Sequence, residues 1–275
     1  MEIGIDLGGT NMRIGMVDNG VLLHKECVDC PAHASQQEVM LCLKKLIDKN
    51  LNDQVRGIGI GVPSVVDAEQ GIVYNVANIT SWKRVELKKE LEETFHLPVF
   101  VNNDSNCFTL GVACYEMNHF EGDLVGVTMG TGIGAGIVVN GNLYAGKNTG
   151  AGEIGSIKYL DRDFEHYCSS DFFVREYHTT GKEAACKAHN GEPDALKIWD
   201  DFGQHVGELM KVILYTYDPQ KIVIGGGISS AFPLFEESMR RNMADFPYLQ
   251  TLKNIEISVC KNADIALLGA SALVK

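Results

Sequence analysis

The chain has 275 residues and a mass of 30.1 kDa, and this length predicts about two domains rather than one small module. With 45% hydrophobic and 22% charged residues it is typical of a globular protein with a packed core, which excludes a mainly disordered or fibrous chain. A formal net charge of -12 would repel phosphate backbones, which disfavours nucleic acids and anionic membranes as partners.

Eight cysteines are spread through a chain large enough to fold without disulfide bonds, which is typical of reduced thiols in a cytosol. Cys27 and Cys30 form a C-x-x-C pair without a second pair or a histidine at ligand spacing, so ordinary thiols are favoured over a redox or zinc role. The first residues lack the features of a signal peptide, and no stretch reaches about 18 apolar residues. These observations predict a cytoplasmic protein.

The opening residues predict a β-meander. Residues 3–7 alternate like a strand, run into the turn Gly8-Gly9-Thr10-Asn11, and continue as a second strand over 13–17 and a third from Val21. A dinucleotide-binding fold needs its glycine turn to feed a helix, whereas residues 12–17 have β periodicity. The meander therefore argues against a Rossmann domain.

Helices and strands alternate after the meander, which predicts an α/β architecture. The pattern predicts helices over 36–51 and 86–95 and strands over 55–62 and 98–101. The run Asn102-Asn103-Asp104-Ser105-Asn106 closes the last of these strands. Residues 107–117 then predict a helix capped by Asp104 or Ser105.

The opening pattern is repeated after Gly122. Residues 126–132 align with 4–10, and residues 136–143 align with 15–22, so strand, glycine turn, strand, Asn-Gly turn and strand recur in order. Two copies of one meander predict two similar domains that face each other across a cleft. That cleft is the expected ligand site.

The last third of the chain predicts two further helices around a third glycine cluster. Residues 198–214 have the spacing of an amphipathic helix that ends at Asp218-Pro219. A strand over 221–224 then opens into Gly225-Gly226-Gly227 and a helix. Residues 263–274 predict a helix of small residues that can pack closely.

Paired glycine turns let backbone N–H groups approach phosphate oxygens from two sides, which predicts a polyphosphate nucleotide as ligand. Asp6 ends the first strand and has no cationic neighbour in the sequence, so it is a candidate for holding Mg2+, directly or through water. The alternative is an aspartate that accepts hydrogen bonds from the turn amides.

Two more carboxylates are candidates for chemistry. Asp104 lies among asparagines that can bond a polyol, so it is a candidate general base, and the alternative is a helix N-cap. Glu153 is flanked by small residues that leave room for a ligand, and the alternative is a solvated loop glutamate.

In combination these motifs resemble those of the ROK family (repressor, open reading frame, kinase), which includes sugar kinases of the actin-like ATPase superfamily. Residues 6–11 and 128–134 resemble the family's two phosphate motifs, and residues 224–228 resemble its adenosine motif. Asn78 with Trp82 resembles the sugar-side segment, Asn103-Asp104 the catalytic pair, and residues 152–155 the sugar-binding Gly-Glu-Ile-Gly. The similarity covers nearly the whole chain.

The resemblance implies an α/β fold of two similar actin-like (ribonuclease H-like) ATPase domains with a ligand cleft between them. The smaller domain is expected over 1–113 plus 263–275 and the larger over 114–262. The resemblance also implies ATP and Mg2+ as cofactors, a small-molecule sugar as substrate, and a homodimer.

The implied reaction is ATP-dependent phosphorylation of a hexose or N-acyl hexosamine hydroxyl, with Asp104 as the general base. The implied substrate-binding residues are Ser64, Asn78, Asn103, Asp104, Glu153 and Asp171. The implied cofactor-binding residues are Asp6 (also the Mg2+ residue), Gly8, Gly9, Thr10, Asn11, Gly130, Thr131, Gly132, Gly225, Gly226 and Gly227.

The chain departs from the family in three places. Members usually place His after Gly-Glu-Ile-Gly and follow it with a cysteine-rich segment that binds structural zinc, but here Ser156 replaces that His and residues 164–173 keep one cysteine. Zinc needs four ligands, so His166 and Cys168 alone predict no zinc site. Asp171 is a candidate to replace the glutamate with which that segment contacts the sugar, and the alternative is a surface aspartate. Ser64 stands where the family often has Gly beside the sugar.

Two other functions remain open. The family includes sugar-responsive repressors with a DNA-binding helix-turn-helix before the first phosphate motif, but here that motif begins at Asp6 and the net charge is -12. The third reading is a sugar-binding protein without catalysis, which the loss of the zinc segment suggests. Against it, Asp104 and both glycine turns are retained.

Overall fold

The computed structural model describes residues 1–76, 78–147 and 150–274. The chain divides into two compact units. Unit 1 contains Met1–Glu121, Gly136–Ala151 and Asn262–Lys275, and unit 2 contains Gly122–Ala135 and Gly152–Lys261. The bounds of these units differ from those of the predicted domains, 1–113 plus 263–275 and 114–262, which stay a prediction.

The strands and helices alternate along much of the chain. The strands are β1 (Glu2–Leu7), β2 (Asn11–Asp18), β3 (Val21–Asp29), β4 (Ile58–Val62), β5 (Val65–Asp67), β6 (Ile72–Tyr74), β7 (Arg84–Val85), β8 (Val99–Asn103), β9 (Leu124–Met129), β10 (Ile133–Val139), β11 (Asn142–Leu143), β12 (Lys158–Tyr159), β13 (Arg162–Asp163), β14 (Lys221–Gly225) and β15 (Glu256–Val259). The α-helices are α1 (Gln36–Asn50), α2 (Leu87–Phe95), α3 (Asp104–Gly111), α4 (Phe164–Cys168), α5 (Ser170–Tyr177), α6 (Gly181–His189), α7 (Pro193–Tyr217), α8 (Phe232–Met243), α9 (Leu249–Asn254) and α10 (Ile265–Ser271). A π-helical turn, Val112–Glu116, continues α3.

The main sheet of unit 1 has the strand order β3-β2-β1-β4-β8. Strand β1 is antiparallel to β2 and parallel to β4, and β4 is parallel to β8. The register aligns Asp6, Gly61 and Asn102 side by side on β1, β4 and β8. The carboxyl ends of these three strands therefore lie at one edge of the sheet, which is where ligands bind in open α/β sheets.

Helix α10 packs directly on the backbone of this sheet because the facing strand residues are glycines. A Cβ on Gly4 would overlap the carbonyl oxygen of Leu267, and a Cβ on Gly59 would overlap that of Ala270. Gly269 and Gly111 allow the same close approach between α10 and α3. The small-residue helix predicted over 263–274 is thus confirmed as α10.

The second sheet has the order β11-β10-β9-β14-β15, with β14 parallel to both β9 and β15. Helix α7 begins with Pro193 at its first turn, where a missing N–H costs nothing, and it confirms the amphipathic helix predicted over 198–214. The rings of Trp199 and Phe202 are fully buried and contact Phe173, with centroids 4.7 and 5.0 Å away. This aromatic cluster forms the core of unit 2.

The duplicated meander is confirmed in its local geometry. Asn19 and Gly20 have φ of 46° and 77°, and Asn140 and Gly141 have φ of 49° and 73°. Two successive left-handed residues are the signature of a type I′ hairpin, which the Asn-Gly sequence favours. The copies differ in length, since β3 has 9 residues and β11 has 2.

The cysteines of the chain are free thiols. Burial and then the neighbouring Cys42 raise the pKa of Cys30 to about 11, which suppresses the reactive thiolate. Cys27 is exposed. Among residues 1–76, 78–147 and 150–274, no helix is both long enough and apolar enough to cross a membrane.

Candidate functional site

The first glycine turn joins β1 to β2. The turn is closed by the Gly8 N–H, which donates to the Asn11 carbonyl at 2.9 Å, and Thr10 and Asn11 are exposed. The side chain of Asn78 occupies the space that a Cβ on Gly9 would need. Asn78, predicted on the sugar side, therefore lies directly against the predicted phosphate turn.

Asp6 has a cationic partner that the sequence analysis missed. Arg13 is its cross-strand neighbour on β2, and the Arg13 Nε and Nη2 groups both donate to Asp6 Oδ2, with Nε at 3.0 Å. Within the part of the chain that the structure describes, Asp6 Oδ1 accepts no hydrogen bond. Asp6 has no cationic neighbour in the sequence but has one across the strand pair, and one carboxylate oxygen beside the turn remains available to a ligand.

Asp104 is the first residue of α3 and is half-buried. The N-cap is Asn103, whose Oδ1 accepts from the Ser105 and Asn106 N–H groups at 2.9 and 3.3 Å. The predicted caps, Asp104 and Ser105, were wrong because the β-conformation ends one residue earlier. The Asp104 carboxylate, which accepts the Ser105 N–H at 2.8 Å, begins the helix instead of capping it.

The two aspartates of unit 1 lie at the same edge of the sheet. Asp6 is aligned with Gly61, and Gly61 with Asn102, two residues before Asp104. Adjacent strands are about 4.8 Å apart, so two strand spacings separate the carboxyl ends of β1 and β8 by about 10 Å. Both aspartates are therefore placed at one edge of the unit 1 sheet, on strand ends separated by one intervening strand.

Ser64 and Asn103 are joined at this edge. The Asn103 Nδ2 donates to the Ser64 carbonyl at 3.3 Å, and the Ser64 hydroxyl donates to the Tyr74 carbonyl. Trp82 is fully buried in the core of unit 1, so its position beside Asn78 in sequence reflects packing. Unit 1 therefore brings together Asp6, the first glycine turn, Ser64, Asn78, Asn103 and Asp104.

The second and third glycine turns are neighbours in unit 2. Strand β14 is parallel to β9, with Gly225 aligned to Thr128, and a Cβ on Gly130 would lie 3.9 Å from the Gly227 N–H. Gly226 has φ of 84° and packs on the Met129 backbone, whereas a Cβ on Gly227 would meet no atom of the described residues within 4 Å. Gly226 is required by the fold, and Gly227 faces open space beside the exposed Thr131 turn.

Glu165 contacts the second glycine turn, a position that the sequence analysis missed. Its Oε2 accepts the Ile133 N–H at 3.0 Å and lies where a Cβ on Gly132 would be, at 2.5 Å. The Glu153 side chain is exposed, and desolvation followed by the Glu165 charge raises the pKa of its carboxyl group. Asp171 instead pairs with Arg175 at 2.8 Å on α5. The sequence did offer a signal, because the family's segment carries a glutamate and Glu165 is the glutamate of residues 164–173.

The segment that resembles the family's zinc region is held by other contacts. Ser156 is exposed, and His166 Nε2 lies 2.7 Å from Glu176 Oε1. Cys168 is fully buried, and this burial raises the pKa of its thiol well above the usual value. Tyr159 stacks on Phe164 with centroids 4.4 Å apart. Across 1–76, 78–147 and 150–274, no three His, Cys, Asp or Glu side chains are grouped to hold a metal ion.

Comparison with known proteins gives a family match over nearly the whole chain and relatives that cover most of it. The model of the ROK family matches residues 2–275. A glucokinase of Thermotoga maritima is 26% identical over 308 aligned positions, covering 99% of this chain and 96% of that protein. The xylose repressor of Bacillus subtilis is 28% identical over 239 positions, covering 79% of this chain and 60% of the repressor.

A solved structure supplies the comparison of folds. The crystal structure of a ROK family glucokinase from Streptomyces griseus, in complex with glucose and AMPPNP, matches with a TM-score of 0.82 at 24% identity, covering 99% of this chain and 98% of that chain. This likeness confirms the predicted α/β fold of two actin-like domains.

Proposed function

The chain belongs to the ROK family, and we propose that it is an ATP-dependent sugar kinase that phosphorylates a hydroxyl of a hexose or an N-acyl hexosamine. The observation that carries this proposal is the position of Asp104 at the carboxyl edge of the sheet, at the first residue of α3 and in line with Asp6 through the β1-β4-β8 register. A kinase needs a proton acceptor at that edge, whereas a regulator needs only ligand contacts.

The proposed step is a direct phosphoryl transfer. The Asp104 carboxylate accepts the proton of a sugar hydroxyl while that oxygen forms a bond to the γ-phosphorus and the bond to the ADP oxygen breaks. The Asn103 cap holds the α3 N-terminus in place. The N-terminus of a helix such as α3 stabilises negative charge nearby.

Mg2+ fits the donor set at Asp6. Arg13 occupies Oδ2, so one hard carboxylate oxygen is left, and Mg2+ commonly uses one or two carboxylates with substrate phosphates completing its ligands. Bound there, the ion would neutralise charge on the nucleotide phosphates. The backbone N–H groups of the Gly8–Thr10 and Gly130–Gly132 turns are proposed to bind the phosphates, and Gly225–Gly227 the adenosine.

On the sugar side, Ser64, Asn78, Asn103 and Glu153 are proposed as in the sequence analysis, and Glu165 is proposed in place of Asp171. Glu165 contacts the second glycine turn and interacts with Glu153, whereas Asp171 forms an exposed ion pair with Arg175. A homodimer and a cytoplasmic location, which the family resemblance and composition imply, belong to the same proposal.

A coupled ADP-release screen with Mg2+ and ATP tests the function. Hexoses, hexosamines and their N-acetyl forms are supplied one at a time, and at least one is expected to give sugar-dependent turnover. If no sugar of this panel gives turnover, the kinase proposal is wrong. Sugar binding without phosphate transfer would then support the non-catalytic reading, and sugar-dependent retention of a specific DNA would support the regulator, a class that the match to a xylose repressor keeps open.

Replacing Glu165 by Gln is expected to raise the KM for the sugar about tenfold or more, because a hydrogen bond to a charged group contributes about 1.5–3 kcal/mol. Gln keeps an oxygen for the Ile133 N–H, so the turn is preserved. Asp171→Asn serves as the comparison and is expected to change this KM less than twofold. Steady-state kinetics with the opposite ranking would restore Asp171 as the sugar ligand.

Replacing Gly227 by Ala is expected to raise the KM for ATP about tenfold while the unfolding midpoint stays constant or rises slightly. A Cβ there has no neighbour within 4 Å among the residues that the structure describes, and Gly→Ala at a compatible position stabilises by about 0.4–1 kcal/mol. Gly181→Ala, where the Cβ makes ordinary contact with Phe173, is the control. An unchanged KM for ATP in Gly227→Ala would remove this turn from the nucleotide site.

A further inference from the structure

Gly61 lies under the start of α3, between the strand positions of the two aspartates. It is aligned with Asp6 on one side and with Asn102 on the other. A Cβ at Gly61 would lie 3.1 Å from Cys107 Sγ, 3.3 Å from Cys107 Cβ and 3.5 Å from Asp104 Cα. Two of these distances are shorter than ordinary van der Waals contact, so the first turn of α3 rests on β4 only because residue 61 has no side chain.

Cys107 fills the space between this glycine and the carboxylates. It is 1% exposed and lies one helical turn after Asp104, so it is on the same face of α3. Burial, then the charges of Asp104 and Asp6, raise the pKa of this thiol well above its usual value. The side chain therefore stays an uncharged spacer beside two carboxylates, and its size fixes how closely α3 approaches the strand.

The other side of the α3 N-terminus is anchored by asparagines. The Asn102 Oδ1 accepts from the Asn103 N–H at 2.8 Å and from Asn106 Nδ2 at 2.9 Å, and both Asn102 and Asn106 are buried. Because these bonds hold the end of β8, the first turn of α3 cannot move aside freely. An atom added at Gly61 must push on Cys107, and through it on the helix that carries Asp104.

We propose that Gly61 is a positioning residue for the phosphoryl transfer: its contact with Cys107 sets the height of Asp104 above the sheet, and so the distance from the proton-accepting carboxylate to the sugar hydroxyl. This inference rests on the proposed function and deepens it. Gly61 touches no reacting atom itself. Its effect is transmitted through Cys107 and the α3 backbone, and displacements well under 1 Å are enough to slow a reaction that depends on alignment.

The test compares Gly61→Ala with the double variant Gly61→Ala/Cys107→Ala. Gly61→Ala is expected to lower kcat about tenfold or more, with the KM values for ATP and sugar changed less than about threefold. The double variant removes the Sγ atom at 3.1 Å and keeps the Cβ at 3.3 Å, so it is expected to recover part of the lost kcat. The Cys107→Ala single variant is the reference for this comparison. Thermal unfolding is measured in parallel, since relief of a purely structural clash would restore stability without restoring kcat.

Gly15→Ala is the matched control. Gly15 is also a sheet glycine of unit 1 with a tight neighbour, but the neighbour is the Leu22 side chain and not a site residue. An equal loss of kcat in Gly15→Ala, an unchanged kcat in Gly61→Ala, or no recovery in the double variant would each overturn the proposal. Should Gly61→Ala fail to fold, Cys107→Val adds a methyl group from the other side of the contact and is expected to lower kcat in the same way.

A structural readout separates this inference from the proposed function. The crystal structure of Gly61→Ala is expected to show the Asp104 Cα displaced from β4 by a few tenths of an ångström. The displacement is expected to be smaller in the double variant. If the wild-type chain turns over no sugar, the kinase proposal fails. The displacement of Asp104 still tests whether the contact between Gly61 and Cys107 sets its position. If the wild type is active and Asp104 does not move in Gly61→Ala, only the inference about Gly61 and Cys107 fails.

Discussion

Asp104→Asn is expected to lower kcat for sugar-dependent ADP release by about a thousandfold, within the 10²–10⁴ range of general-base contributions. The amide is the same size and can still accept the Ser105 N–H, so the α3 N-terminus keeps its local geometry. It cannot take a proton from a hydroxyl at neutral pH. Because sugar contacts are retained, the KM for the sugar is expected to change much less than kcat.

Asp194→Asn is the matched control for the Asp104 variant. Asp194 is an exposed carboxylate in the first turn of α7, so both substitutions remove a favourable charge from a helix N-terminus, a loss of about 0.3–1 kcal/mol of stability. Similar small losses of stability are expected in both variants, with loss of turnover confined to Asp104→Asn. A kcat within about tenfold of wild type in Asp104→Asn would mean that another group accepts the proton.

Gly59→Ala is expected to lower the free energy of unfolding by about 3 kcal/mol, at the upper end of the usual cost of overpacking. The added Cβ would overlap the Ala270 carbonyl oxygen, which is backbone held in α10 and cannot rotate away. Helix α10 would have to lift from β4 and lose its contacts with Gly4. Urea unfolding measures the change, with the slope of the transition checked for constancy.

Gly181→Ala is the reference for that measurement, because its new Cβ makes only ordinary contact with Phe173. It is expected to unfold within about 0.5 kcal/mol of wild type or to be slightly more stable. If Gly59→Ala matches Gly181→Ala in stability, α10 does not depend on close backbone contact with the sheet.

The features that sequence reasoning predicted are those whose causes are local. The two Asn-Gly hairpins follow from the left-handed conformation that those residues tolerate. Helix α1 follows from its apolar spacing and from a capping box in which Ser35 and Glu38 bond each other's backbone N–H groups. The glycine turns and the positions of Asp6, Asn103 and Asp104 at strand ends follow from the same short-range patterns.

The features that it missed depend on contacts between distant positions or on very short elements. Arg13 reaches Asp6 only because the antiparallel register of β1 and β2 places them opposite each other. Glu165 reaches the second glycine turn only after α4 has packed on unit 2. The sheet of β5, β6 and β7 has strands of two or three residues, which are too short to show periodicity. The choice of Asn103 as N-cap was decided by where β8 ends.

The contact between α10 and the glycines of β1 and β4 also bears on how the protein is made. Residues 265–271 complete the same unit as residues 2–7, so a ribosome must synthesise nearly the whole intervening chain before that unit can close. At about 5–20 residues per second, this delay lasts on the order of tens of seconds. During that time the face of β1 and β4 that α10 covers in the finished protein stays open, and chaperones that shield nascent chains are expected to bind there.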